Sequence, residues 1–155
     1  MLNGSLFGES HNCYGCGPKH SHGFRLNFHV ENDEVVTEFT PTSVHEGVPT
    51  IMHGGLVTTV ADELGGWALI ALLGKFGFTG TMNSRFVRPV KIGELVRGRG
   101  RIVRNSSRLV RVAVSLTQGD TECFTSEMAF AVIDEAGVEK MIGGPLPIEW
   151  KQFVR

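Results

Sequence analysis

His53-Gly54-Gly55-Leu56-Val57-Thr58-Thr59-Val60-Ala61-Asp62-Glu63-Leu64-Gly65-Gly66-Trp67-Ala68-Leu69-Ile70-Ala71-Leu72-Leu73 is the long apolar segment of this chain. Its length and its Ala and Leu content favour helix over strand. Gly74, Gly77 and Gly80 stop it and make the next connection. At about 100° per residue, Leu56, Val60, Leu64, Trp67 and Ala71 share one stripe, while Thr58, Asp62, Gly65 and Leu69 lie on the far side. A helix apolar nearly all round is expected to be buried nearly all round. A chain this small achieves that by pairing with a copy of itself, so a dimer at least is expected, with a dimer of dimers open.

On either side of the helix the pattern changes to period two. Phe24 to Val30 places Phe24, Leu26, Phe28 and Val30 at alternate positions, which predicts a half-buried strand. Asn32-Asp33 marks a turn, and Val35 to Phe39 completes a hairpin before Pro41. After the helix, strands are predicted over Thr81 to Val87, Leu95 to Arg104, Leu109 to Thr117 and Cys123 to Ile133. Short turns between them argue for antiparallel pairing. Two strands, a long helix and four more strands make an α+β domain, one antiparallel sheet of about six strands with one helix to cover it. Residues 1–155 read as a single domain, with 1–23 an irregular, turn-rich arm and 135–155 a tail.

Composition narrows the function classes. Charged residues are 20% and the formal net charge is −1, which gives no global reason to expect nucleic-acid or anionic-membrane binding. No apolar run is read as reaching the roughly 20 residues of a spanning helix. With three cysteines and no charged-then-apolar leader at Met1, the expected home is the cytoplasm, with free thiols.

The chemistry-bearing residues cluster on the helix. The first N–H groups of a helix lack internal partners and carry the positive end of its dipole. At His53-Gly54-Gly55 no side chain blocks a ligand from them, so an oxyanion would be stabilised there; equally, the glycines suit a tight opening turn. Asp62 and Glu63 are the only acids between Glu46 and Glu94. A half-buried carboxylate in an apolar helix is suited to be a nucleophile or general base; the alternative is a surface pair, or partners for Arg85 or Arg88. Gly54 and Asp62 are eight residues apart, about 12 Å along one helix. A single small group cannot touch both, so a shared site needs two antiparallel helices from two subunits.

Two further motifs stand out. Cys13-Tyr14-Gly15-Cys16-Gly17, with His11, His20 and His22 nearby, offers N and S donors for zinc. With no second CxxC and no distant histidine pair, it is read as a structural arm or a lid beside a pocket, with no metal. Arg97, Arg99 and Arg101 alternate as a solvated sheet face does. Arg104-Asn105-Ser106-Ser107-Arg108 is a polar turn that suits a phosphate.

Taken together, these segments resemble the hotdog fold. His53-Gly54-Gly55-Leu56 through Val60-Ala61-Asp62-Glu63 is similar to the signature of its 4-hydroxybenzoyl-CoA and phenylacetate-pathway (PaaI-like) thioesterases. Phe86-Val87-Arg88-Pro89-Val90 with Gly93-Glu94 resembles their next strand and turn, and Cys13 to Leu26 an arm of one branch. The resemblance implies an acyl-CoA thioesterase, a sheet wrapped around a central helix, and no cofactor beyond the CoA of the substrate. It implies Asp62 as the catalytic carboxylate, Gly54 N–H as the oxyanion donor, and Thr79, or second Thr81, as a hydroxyl near the water. CoA contacts would fall on Phe86, Arg88 and the turn of Arg104, Ser106, Ser107 and Arg108; His53, Gly55 and Glu63 would adjoin the site. Many members carry Asn or Gln where this chain has Glu46, and a carboxylate cannot donate that amide's hydrogen bond. A non-catalytic acyl-CoA-binding module and a hydroxyacyl-thioester dehydratase using His53 are the alternatives.

Overall fold

Asn32 and Asp33 both take positive φ (51° and 61°), the backbone of a tight two-residue hairpin turn. They join β1 (Phe28–Glu31) to β2 (Glu34–Phe39). The computed structural model describes residues 1–154. The chain continues through α1 (Gly54–Ala68), β3 (Gly77–Phe86), β4 (Val96–Asn105), β5 (Leu109–Gln118), β6 (Thr121–Val132) and α2 (Glu135–Ile142). The six strands form one sheet in the order β1-β2-β4-β5-β6-β3, every neighbouring pair antiparallel. Helix α1 lies across one face of it, and a wider-wound turn over Leu69–Leu73 extends the helix to Gly74. This is the expected α+β architecture.

The core is the interface between that helix and that face. Val110, Val112, Val114 and Leu116 on β5 point inward at alternate positions, as the period-two pattern requires. Val57, Val60 and Leu64 of α1 and Leu69 of the turn that extends it share this core, and Trp67 stacks on Phe28 at 5.0 Å. Burying each of those aliphatic side chains favours folding by about 1.5–3 kcal/mol before the entropy of ordering is subtracted. The helix approaches the sheet closely because β4 presents glycine inward. A Cβ at Gly98 would lie 2.5 Å from Leu64 Cδ1, and one at Gly100 would lie 3.0 Å from the Leu64 carbonyl oxygen. The opposite parity of β4 carries Arg97 and Arg99, which pair with Glu31, Glu34 and Glu38 on β1 and β2.

Several expectations are corrected. Phe24 to Asn27 is not strand. Arg25 has φ 53°, and the Phe24 and Leu26 N–H groups donate to Tyr14 and Gly15 of the arm. Strand β3 begins at Gly77 rather than Thr81. Gly77 is there for close approach, since its Cβ would lie 2.7 Å from the Ala131 carbonyl oxygen, and Gly80 sits in a bulge between Thr79 and Thr81. Residues 135–155, read only as a tail, begin with a helix: Asp134 caps α2 through Gly137 N–H at 2.8 Å, and Gly143 ends it with φ 74°. On α1 the buried face is rotated from the expected stripe. Gly65 and Leu69 are buried, whereas Leu56 and Ala71 are only partly so. Gly54–Leu73 also reaches the length and apolarity of a membrane span, which the sequence reading did not credit; in this fold it is the central helix.

Gly65 and Gly66 separate packing from propensity. A Cβ at Gly65 would meet Phe130 Cζ at 2.6 Å, while one at Gly66 would meet nothing within 4 Å. Gly65→Ala is expected to lower unfolding free energy by about 1–3 kcal/mol in urea melts. Gly66→Ala is expected to leave it unchanged or raise it by up to about 1 kcal/mol.

Candidate active site

Asp62 lies on the half-exposed strip of α1, with Gly66 one turn further on. The bulge at Gly80 bends the start of β3 and re-aims the residue before it. That residue is Thr79, whose hydroxyl donates to Asp62 Oδ1 at 2.5 Å. Neither Asp62 nor Glu63 pairs with an arginine among the described residues. Oδ1 is oriented by Thr79, and Oδ2 of Asp62 has no hydrogen-bond partner among the described residues. Thr81, beyond the bulge, is exposed and does not reach this contact.

Asp62 and Thr79 border a largely apolar hollow of about 200 Å³. Gly66, Ile70 and Phe130 line its helix and sheet sides. The other wall comes from the two ends of the chain: Phe7 of the arm stacks on Trp150 of the tail at 4.1 Å. The arm was expected as a structural arm or as a lid beside a pocket. Trp150 was missed, because nothing in the local pattern of the tail says where it packs.

Glu63, one residue on, also borders that hollow and reaches into the arm. Its Oε1 is 3.1 Å from Cys13 Sγ, close enough to share one proton. Burial, reinforced by Cys13 alongside, pushes the Glu63 carboxyl up to about 8. A hydrogen bond from Cys16 holds Cys13 down, to about 4, and the same bond together with burial pushes Cys16 up. Cys13, Cys16 and Cys123 are all free thiols.

At the start of α1, His53 is the cap: its Nδ1 accepts the Gly55 N–H at 2.9 Å. Gly55 N–H is therefore taken by the His53 ring. Gly54 N–H has no protein partner among the described residues. It opens on a second hollow, of about 320 Å³, flanked by Phe86 and Arg88. A Cβ at Gly54 would stand 3.4 Å from the Phe86 ring. Gly54 and Asp62 thus line two separate hollows, as their spacing along the helix requires.

The remaining candidates lie elsewhere. Glu46 accepts from Thr50 N–H and tightens its own loop, where Thr50 has φ 69°; it lines neither hollow. His45 stacks on Phe24 at 4.7 Å. The turn of Arg104, Ser106, Ser107 and Arg108 is exposed. Ser106 Oγ donates to the Leu109 carbonyl, and Lys75 Nζ donates to Asn105 Oδ1 at 2.7 Å. The turn therefore sits at the C-terminal end of the helix, near Gly77, while Phe86 and Arg88 sit at the other end of β3. Within one chain the structure does not bring them together.

The His53 cap is separable from any chemistry. His53→Ala is expected to lower unfolding free energy by about 1 kcal/mol in urea melts, and His53→Asn, which can accept the same N–H, to restore most of it.

The family model described as thioesterase superfamily matches residues 50–125. No curated protein matches the chain by sequence. Among solved structures, a thioesterase protein from Streptococcus pneumoniae with coenzyme A superposes with TM-score 0.63 at 19% identity, covering 68% of this chain and 88% of that one. Further structures of that pneumococcal protein carry an Asp-to-Ala or a Thr-to-Ala substitution. A Streptococcus mutans protein bound to acetyl-CoA gives TM-score 0.65 at 19% identity, covering 69% of this chain and 87% of that one. A phenylacetic acid degradation-related protein from Ralstonia eutropha gives 0.63 at 21%, covering 69% and 84%. Residues 50–125 are thus similar to the thioesterase superfamily, and the helix-and-sheet fold that the chain shares with these structures is the hotdog fold.

Proposed function

We propose that this protein is an acyl-CoA thioesterase of the PaaI-like kind, with an active site built from two subunits. The observation that carries the reading is the Thr79 hydroxyl on Asp62 Oδ1 at 2.5 Å, at the rim of an apolar hollow. Coenzyme A and acetyl-CoA in two structures of the same fold, and the phenylacetate-related name of a third, support the substrate class. The separate single Asp and Thr substitutions made in the pneumococcal protein support an acid and a hydroxyl as the groups to examine, here Asp62 with Thr79.

In this reading the acyl group enters the hollow beside Phe130 and Trp150. Asp62 Oδ2 takes a proton from water, whose oxygen adds to the thioester carbonyl carbon. The carbonyl oxygen becomes an oxyanion and is held by Gly54 N–H of the facing subunit. The C–S bond then breaks, the CoA sulfur takes up the proton, and free acid is released. Direct attack by Asp62, giving a mixed anhydride that water cleaves, uses the same groups. No metal or other cofactor takes part.

One observation supports the pairing of subunits. Strand β3 pairs on one side only, with β6, so its ten residues leave an open edge beside the Asp62 strip of α1. A second copy added antiparallel there would set one helix N-terminus against the middle of the other helix. The same operation would carry the Arg104–Arg108 turn of one chain toward Phe86 and Arg88 of its partner, where the CoA phosphates would be met by arginine from both sides. A dimer of such dimers is compatible with the exposed outer face of the sheet. The free thiols suit a reducing cytoplasm.

Hydrolysis of a panel of short, long and aromatic acyl-CoAs tests the assignment. Asp62→Asn is expected to lower kcat at least about 100-fold. Gly54→Pro removes the oxyanion donor at the first helical position, where proline is well accepted, and is expected to lower kcat by about 100–1,000-fold while the melting curve is kept. Gly54→Ala, which retains the N–H, should stay near wild type. Full activity in Asp62→Asn would refute the proposal.

A further inference from the structure

We propose that His11, Cys13, Cys16 and Glu63 together bind one zinc-like divalent cation, which fastens the N-terminal arm to helix α1. The Nε2 or Nδ1 of His11 and the Sγ atoms of Cys13 and Cys16 all lie within 4.8 Å of one another. Cys16 Sγ is 3.8 Å from His11 Nε2, and Cys13 Sγ is 3.1 Å from Glu63 Oε1. Four donors on a tetrahedral zinc, with bonds of about 2.0–2.3 Å, stand roughly 3.5–3.8 Å apart. His11, Cys13 and Cys16 need to contract by about 1 Å at their widest to reach that geometry, and Glu63, which touches Cys13 but lies outside that 4.8 Å group, has to move in with them.

The backbone around these donors is shaped for them. The Gly17 N–H donates to the Cys13 carbonyl at 2.9 Å, closing the Cys-x-x-Cys loop into a tight turn that turns both sulfurs to one side. Glu63 inserts its side chain into that loop, and a Cβ at Gly15 would lie 2.1 Å from Glu63 Cγ. Any other residue at position 15 would expel the carboxylate. No lysine or arginine pairs with Glu63 among the described residues. A buried carboxylate beside two thiols, with no cationic side chain, is a costly arrangement that a divalent cation relieves. Sulfur and imidazole donors select zinc or another borderline-soft ion over magnesium or calcium. Among the described residues, His11 is the histidine whose ring nitrogen lies with the Cys13 and Cys16 sulfurs.

This cation would act through position and not through the reaction. Glu63 follows Asp62 directly, and Cys13 and Cys16 border the hollow that Asp62 lines. Fixing the arm to Glu63 therefore sets one wall of that hollow. The inference stands apart from hydrolysis and is tested without an activity assay.

The full-length chain, purified reduced, is stripped with a chelator and titrated with cobalt(II) while thiolate-to-cobalt absorption is followed in the near ultraviolet. About one cobalt per chain, displaced by zinc, is expected. Cys13→Ser and Cys16→Ser should each weaken zinc binding by at least about 100-fold, and Glu63→Gln by at least about tenfold. Cys123→Ser, whose sulfur lies outside the cluster and near Gln118, should leave it intact and so reports on folding. Zinc should raise the melting temperature of the wild type and of Cys123→Ser, but not of Cys16→Ser. Absence of the thiolate band in reduced wild type, or its persistence in Cys13→Ser and Cys16→Ser, would overturn the proposal.

Discussion

The spacing of Gly54 and Asp62 on one rigid helix, eight residues or about 12 Å, constrains every other part of the site. A thioester carbonyl and its attacking water fit within a few ångströms, so the two groups cannot serve the same carbonyl from one chain. The structure keeps them apart in the way that spacing demands. Gly54 N–H opens on the hollow beside Phe86 and Arg88, and Asp62 on the hollow beside Phe130 and Trp150. The open edge of β3 and the half-exposed strip of α1 lie side by side. One two-fold partner would cover both and unite the two half-sites.

The sheet is built to hold that helix close and in one orientation. Gly98 and Gly100 let Leu64 settle onto β4, and Gly65 lets the helix settle onto Phe130. These contacts fix the rotation of α1 and so decide which residues are left on the open strip. Asp62 is on it, half-buried. Glu63, about 100° further around, is turned into the arm instead. Two adjacent acids thus acquire different surroundings: one meets a threonine hydroxyl beside a cavity, the other two thiols beneath a glycine-rich loop.

Much of this was legible in the residue pattern. The helix from Gly54, the inward parity of β5 and the Asn32-Asp33 turn follow from local periodicity and turn chemistry, and each of them is found. Gly77 was misread as a stop because glycine marks both a break and a close approach, and only the partner strand tells them apart. Asp134 and Gly143 are ordinary cap residues, but glycine at positions 137, 143 and 144 obscured the short helix between them, and residues 135–155 were read only as a tail. The contact of Asp62 with Thr79 joins a helix to a strand seventeen positions away; periodicity carries no information on such a pairing, and only the family resemblance pointed to it. The Cys13–Glu63 contact spans fifty positions and was not visible in the sequence at all. The placement of the Arg104–Arg108 turn followed from strand order, which the sequence left open.

The central claim is that each active site takes its carboxylate from one chain and its oxyanion donor from another. Mixing two inactive variants tests it directly. Asp62→Asn and Gly54→Pro chains, unfolded together and refolded, should regain about a quarter of wild-type acyl-CoA hydrolysis, because half of the dimers are mixed and each mixed dimer carries one intact site of two. A mixture that remains as inactive as its parents, although exchange of chains is confirmed by mass spectrometry, would contradict the account.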